Sequence, residues 1–234
     1  LSTMPLRNKE ALMLLKPHSR LIFVGDSVTD MGRSGGRGAG EVSQGLFDPL
    51  GKGYPNFVNA ILNGWSPELH IHVINSGNSG NNVRNLLARW ETDVLAFKPD
   101  WVSVCIGIND VWRQFDSPGQ PEEAVPLEEY ESGLEKLVEM TLPKGCGMNF
   151  MTPYFIESNA QDAMRARMDE YGAAMKRVAA RHDLVCVDLQ TAFCEALEHQ
   201  YSGYYTWDRI HPNCAGSALM ARAFLKAMGY NAIN

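Results

Sequence analysis

Short apolar runs alternate with segments of helical period along nearly the whole chain. Leu21–Gly25 reads as a buried strand that stops at a glycine. Leu69–Asn75 sets Leu69, Ile71 and Val73 against His70 and His72, the two-residue alternation of a strand. Trp101–Gly107, Gly147–Thr152 (closed by Pro153) and Leu184–Asp188 bring the strands to five. Between them, Asn56–Trp65 places Phe57, Val58, Ile61, Leu62 and Trp65 at helical spacing. Asn82–Phe97 does the same with Val83, Leu86, Leu87, Trp90 and Val94. Leu127–Leu142, led in by Pro126, Gln161–Arg181, Ala192–His199 and Ala215–Met228 are further helices.

Strands that alternate with helices in this way predict an α/β fold, a single domain of three layers (α/β/α) around a five-stranded parallel sheet. Functional groups in such sheets gather at the carboxyl ends of the strands. No repeat, linker or change of composition suggests a second domain. The segment Met31–Gly53 breaks the pattern, being rich in glycine with almost no apolar period, and loops of that length are usually functional or mobile.

Composition narrows the classes. With 45% hydrophobic and 21% charged residues, the 234-residue chain is no disordered tail and can bury a substantial core. A net charge of −6 without a Lys/Arg block argues against a nucleic-acid partner. No apolar run approaches the ~20 residues of a membrane helix, so no membrane partner is expected. Five scattered cysteines (Cys105, Cys146, Cys186, Cys194, Cys214) include no C-x-x-C pair. They point to a reducing, cytoplasmic setting rather than a disulfide scaffold. The apolar patch Ala11–Leu15 is too short for a secretion signal. The first residue, Leu rather than Met, fits either a few foreign residues ahead of Met4 or a leader cut away.

Four strand or loop ends carry unusual residues: Gly25-Asp26-Ser27-Val28-Thr29-Asp30, Asn75-Ser76-Gly77-Asn78-Ser79-Gly80-Asn81, Gly107-Ile108-Asn109-Asp110 and Asp208-Arg209-Ile210-His211-Pro212. Singly, each can be read as a turn or cap. Together they supply a hydroxyl, a small residue with a free N–H, a side-chain amide and an Asp/His pair, the parts of an acyl-transfer site. A neutral serine needs a base to take its proton. His211, three residues after Asp208, is the best placed of six histidines to do so, and Asp208 can reach its Nδ1–H. The Ser27 and Gly80 backbone N–H groups and the Asn109 amide are candidate oxyanion donors. Neutral His211 would then be required for turnover, which a flat rate from about pH 4 to 9 would contradict.

Competing signals are weaker. Ser27 with Asp30 three residues on also fits a helix N-cap. Gly32-Arg33-Ser34-Gly35-Gly36 matches G-x-S-x-G but lacks the strand directly before it and the helix directly after, so Ser34 is set aside. Gly36, Gly38 and Gly40 miss the dinucleotide fingerprint. His70 and His72 read as exposed or packing positions, and His18, His182 and His199 lack an acid-and-cysteine set, so neither metal nor other cofactor is expected. Asp26, Trp112, Trp207 and Tyr205 are candidate substrate contacts, Trp207 foremost because it adjoins Asp208. Packing is the duller account of each. The glycine-rich loop and the surplus aromatics are compatible with a homo-oligomer.

The blocks GDSVTDMGR (25–33), NSGNSGNNV (75–83), GIND (107–110) and DRIHP (208–212) resemble those of the SGNH hydrolases, the GDSL-type esterases and lipases. The resemblance runs from about residue 20 to 228. It implies a flavodoxin-like sheet, a hydrolase domain over 20–234 behind an extension over 1–19, and a metal-free Ser27–His211–Asp208 triad. Ser27, Gly80 and Asn109 would form the oxyanion hole. The stretches 89–116, 151–172 and 207–225 further resemble bacterial intracellular acetylxylan esterases. The expected activity is therefore removal of acetyl groups from carbohydrate, xylo-oligosaccharides first. The alternatives are a lipid- or thioester-directed hydrolase, such as a lysophospholipase or thioesterase, and a catalytically silent carbohydrate-binding domain.

Overall fold

The structure, a computed structural model, describes residues 13–33 and 48–231. Five strands among these residues form one sheet: β1 (Arg20–Gly25), β2 (His72–Gly77), β3 (Trp101–Cys105), β4 (Gly147–Met151) and β5 (Val185–Val187). Their order is β2-β1-β3-β4-β5 and every pairing is parallel. This is the doubly wound arrangement, in which the order reverses beside β1 and leaves a crevice at the carboxyl ends there.

Among the described residues, eight α-helices connect and cover the strands: α1 (Ser27–Asp30), α2 (Tyr54–Trp65), α3 (Val83–Asp93), α4 (Ile108–Asp116), α5 (Leu127–Thr141), α6 (Ala163–Arg181), α7 (Leu189–Leu197) and α8 (Cys214–Ala227). Helices α2, α7 and α8 pack as one group and α3 to α6 as another. A strand covered on both sides must be apolar on both, and Leu21, Ile22, Phe23 and Val24 of β1 are all fully buried. Phe23 meets Tyr54 and Phe224 edge-on, while Trp90 of α3 donates its ring N–H to Thr141 on α5 at 3.1 Å.

Several expectations shift: α7 starts three residues before the expected Ala192, and α4 follows Gly107 where a turn was expected. Leu69 belongs to a 3-10 turn (Pro67–Leu69), with β2 starting three residues later. Val94 ends α3, and Leu95–Phe97 is a separate 3-10 turn. Of the glycine-rich segment, its two ends are described. Lys52 N–H donates to Met31 O, and Asn75 Nδ2 donates to Leu50 O. The set-aside Ser34, Gly36, Gly38 and Gly40, and most of the 1–19 extension, lie outside the described residues. No helix among the described residues is long and apolar enough to cross a membrane.

Candidate active site

β1 delivers the first group. Its last residue, Gly25, has no room for a Cβ, which would stand 2.3 Å from Cys105 O. The chain then turns into α1 through Asp26, whose Oδ1 accepts the Val28 N–H at 2.9 Å. The N-cap is thus Asp26, one residue before the serine that the Ser-x-x-Asp spacing suggested. Ser27 becomes the first helical residue, where its backbone N–H has no acceptor within the helix. Its hydroxyl is left free for another partner.

That partner comes from the loop between α7 and α8. Ser27 Oγ lies 2.8 Å from His211 Nε2, and His211 Nδ1 lies 2.6 Å from Asp208 Oδ2. The other oxygen of Asp208 accepts the backbone N–H groups of Ile210 and His211 at 2.9 and 2.7 Å. These bonds curl the loop tightly enough to put Arg209 at φ 67°. Several contacts hold the curl in place. Ile156 N–H donates to Arg209 O, Arg209 Nη1 reaches Glu157 Oε2 at 2.9 Å, and Thr206 Oγ1 donates to His211 O at 2.8 Å. Gly216 at the start of α8 admits the loop, since a Cβ there would stand 2.5 Å from Tyr205 O.

Burial opposes the charge on Asp208, but the bonds from the His211 ring and from the His211 and Ile210 amides outweigh it and hold the carboxyl below its ordinary 3.8. The carboxylate therefore stays ionised and acceptor-only. That fixes the neutral ring with its proton on Nδ1 and a lone pair on Nε2 toward Ser27. The rings of Trp112 and His211 pack edge to face with centroids 6.0 Å apart.

The turn after β2 supplies Gly80. Asn81 N–H returns to Asn78 O, and Gly80 sits third in that turn at φ 85°. That backbone suits glycine. Crowding plays no part among the described residues, where an added Cβ would meet nothing within 4 Å. Asp30 of α1 tethers the turn by accepting Ser79 Oγ at 2.6 Å. Asn109 is buried in the first turn of α4, and its Nδ2 donates to Asn81 O at 2.9 Å, so the second and third blocks are bonded to each other.

The sequence-level substrate contacts separate here. Trp112 is half-buried against His211. Trp207 is 76% exposed beside Asp208. Tyr205 turns away, its ring toward Phe193 and its hydroxyl to Ala196 O on α7, so it does not face Ser27. Asp26 is fully buried beneath α1 and cannot reach a substrate. Burial pushes its carboxyl up to about 7 against the Val28 amide and His211, and burial does the same to Asp110, also to about 7.

What the sequence missed is the support behind these groups. Arg89, buried on α3, donates to Asn81 Oδ1 at 2.7 Å, to Ser76 O at 2.9 Å and to Gly25 O at 3.2 Å. It thereby clasps the ends of β1 and β2. Arg113, one helical turn after Asn109, donates to Asn109 Oδ1 at 3.2 Å. Its spacing of four would have pointed to it, had the third block been read as a helix start.

Comparison with known proteins places the chain in a family. Residues 23–219 match the model of the GDSL-like Lipase/Acylhydrolase family. The chain is 49% identical over 211 residues to an acetylxylan esterase of Geobacillus stearothermophilus, covering 90% of this chain and 94% of that protein. Among solved structures, Axe2, an acetylxylan esterase from the same organism, superimposes with a TM-score of 0.87 at 48% identity, over 94% of this chain and 98% of that one. LAE5, an alpha/beta hydrolase enzyme from the metagenome of Lake Arreo, Spain, gives a TM-score of 0.88 at 50% identity, over 93% and 98%.

Proposed function

The chain belongs to the GDSL-like lipase/acylhydrolase family, and within it we propose a serine esterase that removes acetyl groups from acetylated carbohydrate, xylo-oligosaccharides above all. The observation that carries the chemistry is the bonded chain Ser27–His211–Asp208 at 2.8 and 2.6 Å. His211 Nε2 takes the hydroxyl proton as Ser27 Oγ attacks the ester carbonyl carbon. The carbonyl electron pair moves onto oxygen, where the Ser27 and Gly80 backbone N–H groups and Asn109 Nδ2 receive it. Asp208 keeps the Nδ1–H in place and stabilises the imidazolium. Collapse of the intermediate breaks the bond to the sugar oxygen, which takes the proton from Nε2. Water then gives a proton to Nε2 and attacks the acetyl-serine. Acetate leaves as Ser27 Oγ recovers its proton.

The acetyl and carbohydrate parts rest on the half-identity to an acetylxylan esterase over nine-tenths of the chain. Trp207 supports them by offering an open aromatic face beside Asp208, on which a sugar ring can stack. Five cysteines, all unpaired, fit a cytoplasmic enzyme that works on short oligosaccharides.

The test is chain-length preference on p-nitrophenyl esters, together with acetate release from acetylated xylo-oligosaccharides. Acetate esters cleaved far faster than octanoate, with release from the oligosaccharide, is the expected result. Octanoate preferred, with no release from the oligosaccharide, would move the enzyme to lipid or thioester substrates.

A further inference from the structure

Both ends of the Asn109 amide are committed before any substrate arrives. Its oxygen accepts from Arg113 Nη2 at 3.2 Å, and its nitrogen donates to Asn81 O at 2.9 Å. A guanidinium can only donate and a carbonyl can only accept. Turning the amide by half a revolution would therefore set donor against donor at one end and acceptor against acceptor at the other. One Nδ2 proton is left over, without a partner among the described residues. The far end of the line is firm, because Asn81 is itself gripped by the buried Arg89 at 2.7 Å. The near end is firm too. Arg113 pairs with Asp116 and lies over the Trp112 ring at 4.7 Å, with about a quarter of its side chain exposed (26%).

We infer that Arg113 is a positioning residue for the oxyanion donor, holding the Asn109 amide in its productive flip and polarising it. This rests on the reading of Asn109 as an oxyanion donor. A positive charge on the amide oxygen draws electron density from the nitrogen and makes the free N–H a stronger donor. The gain is largest when negative charge develops on the substrate oxygen, so it falls on the transition state rather than on substrate binding.

Two other routes exist for an arginine at this place. It can steady Trp112 and through it His211, or it can hold the substrate directly. A double-mutant cycle separates them. kcat and KM for p-nitrophenyl acetate are measured for Arg113→Met, Asn109→Ala and the double variant, each checked for an unchanged melting transition. Asn109→Ala should lower kcat by ~10²–10³. Arg113→Met should lower kcat by about tenfold with KM within about twofold. In the Asn109→Ala background Arg113→Met should cost nothing further, and Arg113→Lys, which keeps charge and a donor, should restore part of the loss. The same loss in both backgrounds, a rise confined to KM, or no loss on Arg113→Met while Asn109→Ala is crippled would each overturn the role of Arg113 alone. An Asn109→Ala enzyme of full activity would overturn the oxyanion reading as well.

Discussion

Replacing Asp208 by Asn changes one atom of the relay and reverses its sense. The amide oxygen can keep the two backbone bonds, from Ile210 and His211, that curl the loop. The atom that replaces Oδ2 becomes an NH2 group at 2.6 Å from His211 Nδ1. Two N–H groups cannot face each other there, so the ring must carry its proton on Nε2. That proton then points at Ser27 Oγ, 2.8 Å away, where a base is needed. Losing the charge-assisted bond costs about 1.5–3 kcal/mol. The lost attraction between carboxylate and imidazolium would add about 4 kcal/mol at an effective dielectric of 20. With 42% of the Asp208 side chain exposed, solvent screening leaves roughly half of that attraction. Together these give about 3.5–5 kcal/mol, a loss of roughly 400- to 5,000-fold in kcat at 1.36 kcal/mol per decade. The assay is kcat on p-nitrophenyl acetate at the pH of maximal rate, with a melting curve to verify the fold. A folded Asp208→Asn enzyme within tenfold of wild type would refute the reasoning, because the tautomer would then not be set by Asp208.

Gly80→Ala meets no neighbour among the described residues but must hold φ 85°, at a cost of roughly 1 kcal/mol. It should melt only a few degrees lower while kcat falls by at least about tenfold as the N–H swings away, and equal proportional losses in stability and rate would count against the donor role. Asp26→Asn tests the buried carboxyl. The native protein keeps that proton up to about pH 7, whereas an unfolded aspartate releases it near 3.8, so wild-type stability falls as pH rises between those values. Asn keeps an acceptor for Val28 and cannot ionise. In urea unfolding it should therefore be more stable than wild type at pH 8, by up to ~4 kcal/mol, and the gap should shrink toward pH 4. A gap independent of pH would show that burial does not hold the Asp26 proton.

Much of the fold was legible because its signals are local. A parallel sheet covered on both faces demands runs such as Leu21–Gly25, and β1, β3 and β4 begin within a residue of where those runs do. Short amphipathic stretches are ambiguous. Leu69 alternates as in a strand, but Pro67 starts a 3-10 turn, and its backbone bonds, not the pattern of side chains, decide the boundary. Helix α4 was hidden because Gly-Ile-Asn-Asp reads as a turn, and its start, Gly107 at φ 129°, is a backbone state no spacing encodes. The four motif blocks pointed to Ser27, His211, Asp208, Gly80 and Asn109 because acyl transfer needs those groups. Direction was not legible. Tyr205 and Trp207 are two residues apart in one loop, yet one faces α7 and the other faces solvent. The arginines at 89 and 113 were invisible for the same reason: their partners lie on other segments or one turn along an unrecognised helix.

Acetate release from acetylated xylo-oligosaccharides, followed in parallel for wild type and Ser27→Ala, tests the central claim most directly. Ser27 exposes only part of its surface and makes its one side-chain bond among the described residues to His211, so the variant should fold as wild type does. The account predicts steady release by wild type and none above the uncatalysed background by the variant. Release that survives in Ser27→Ala would contradict it.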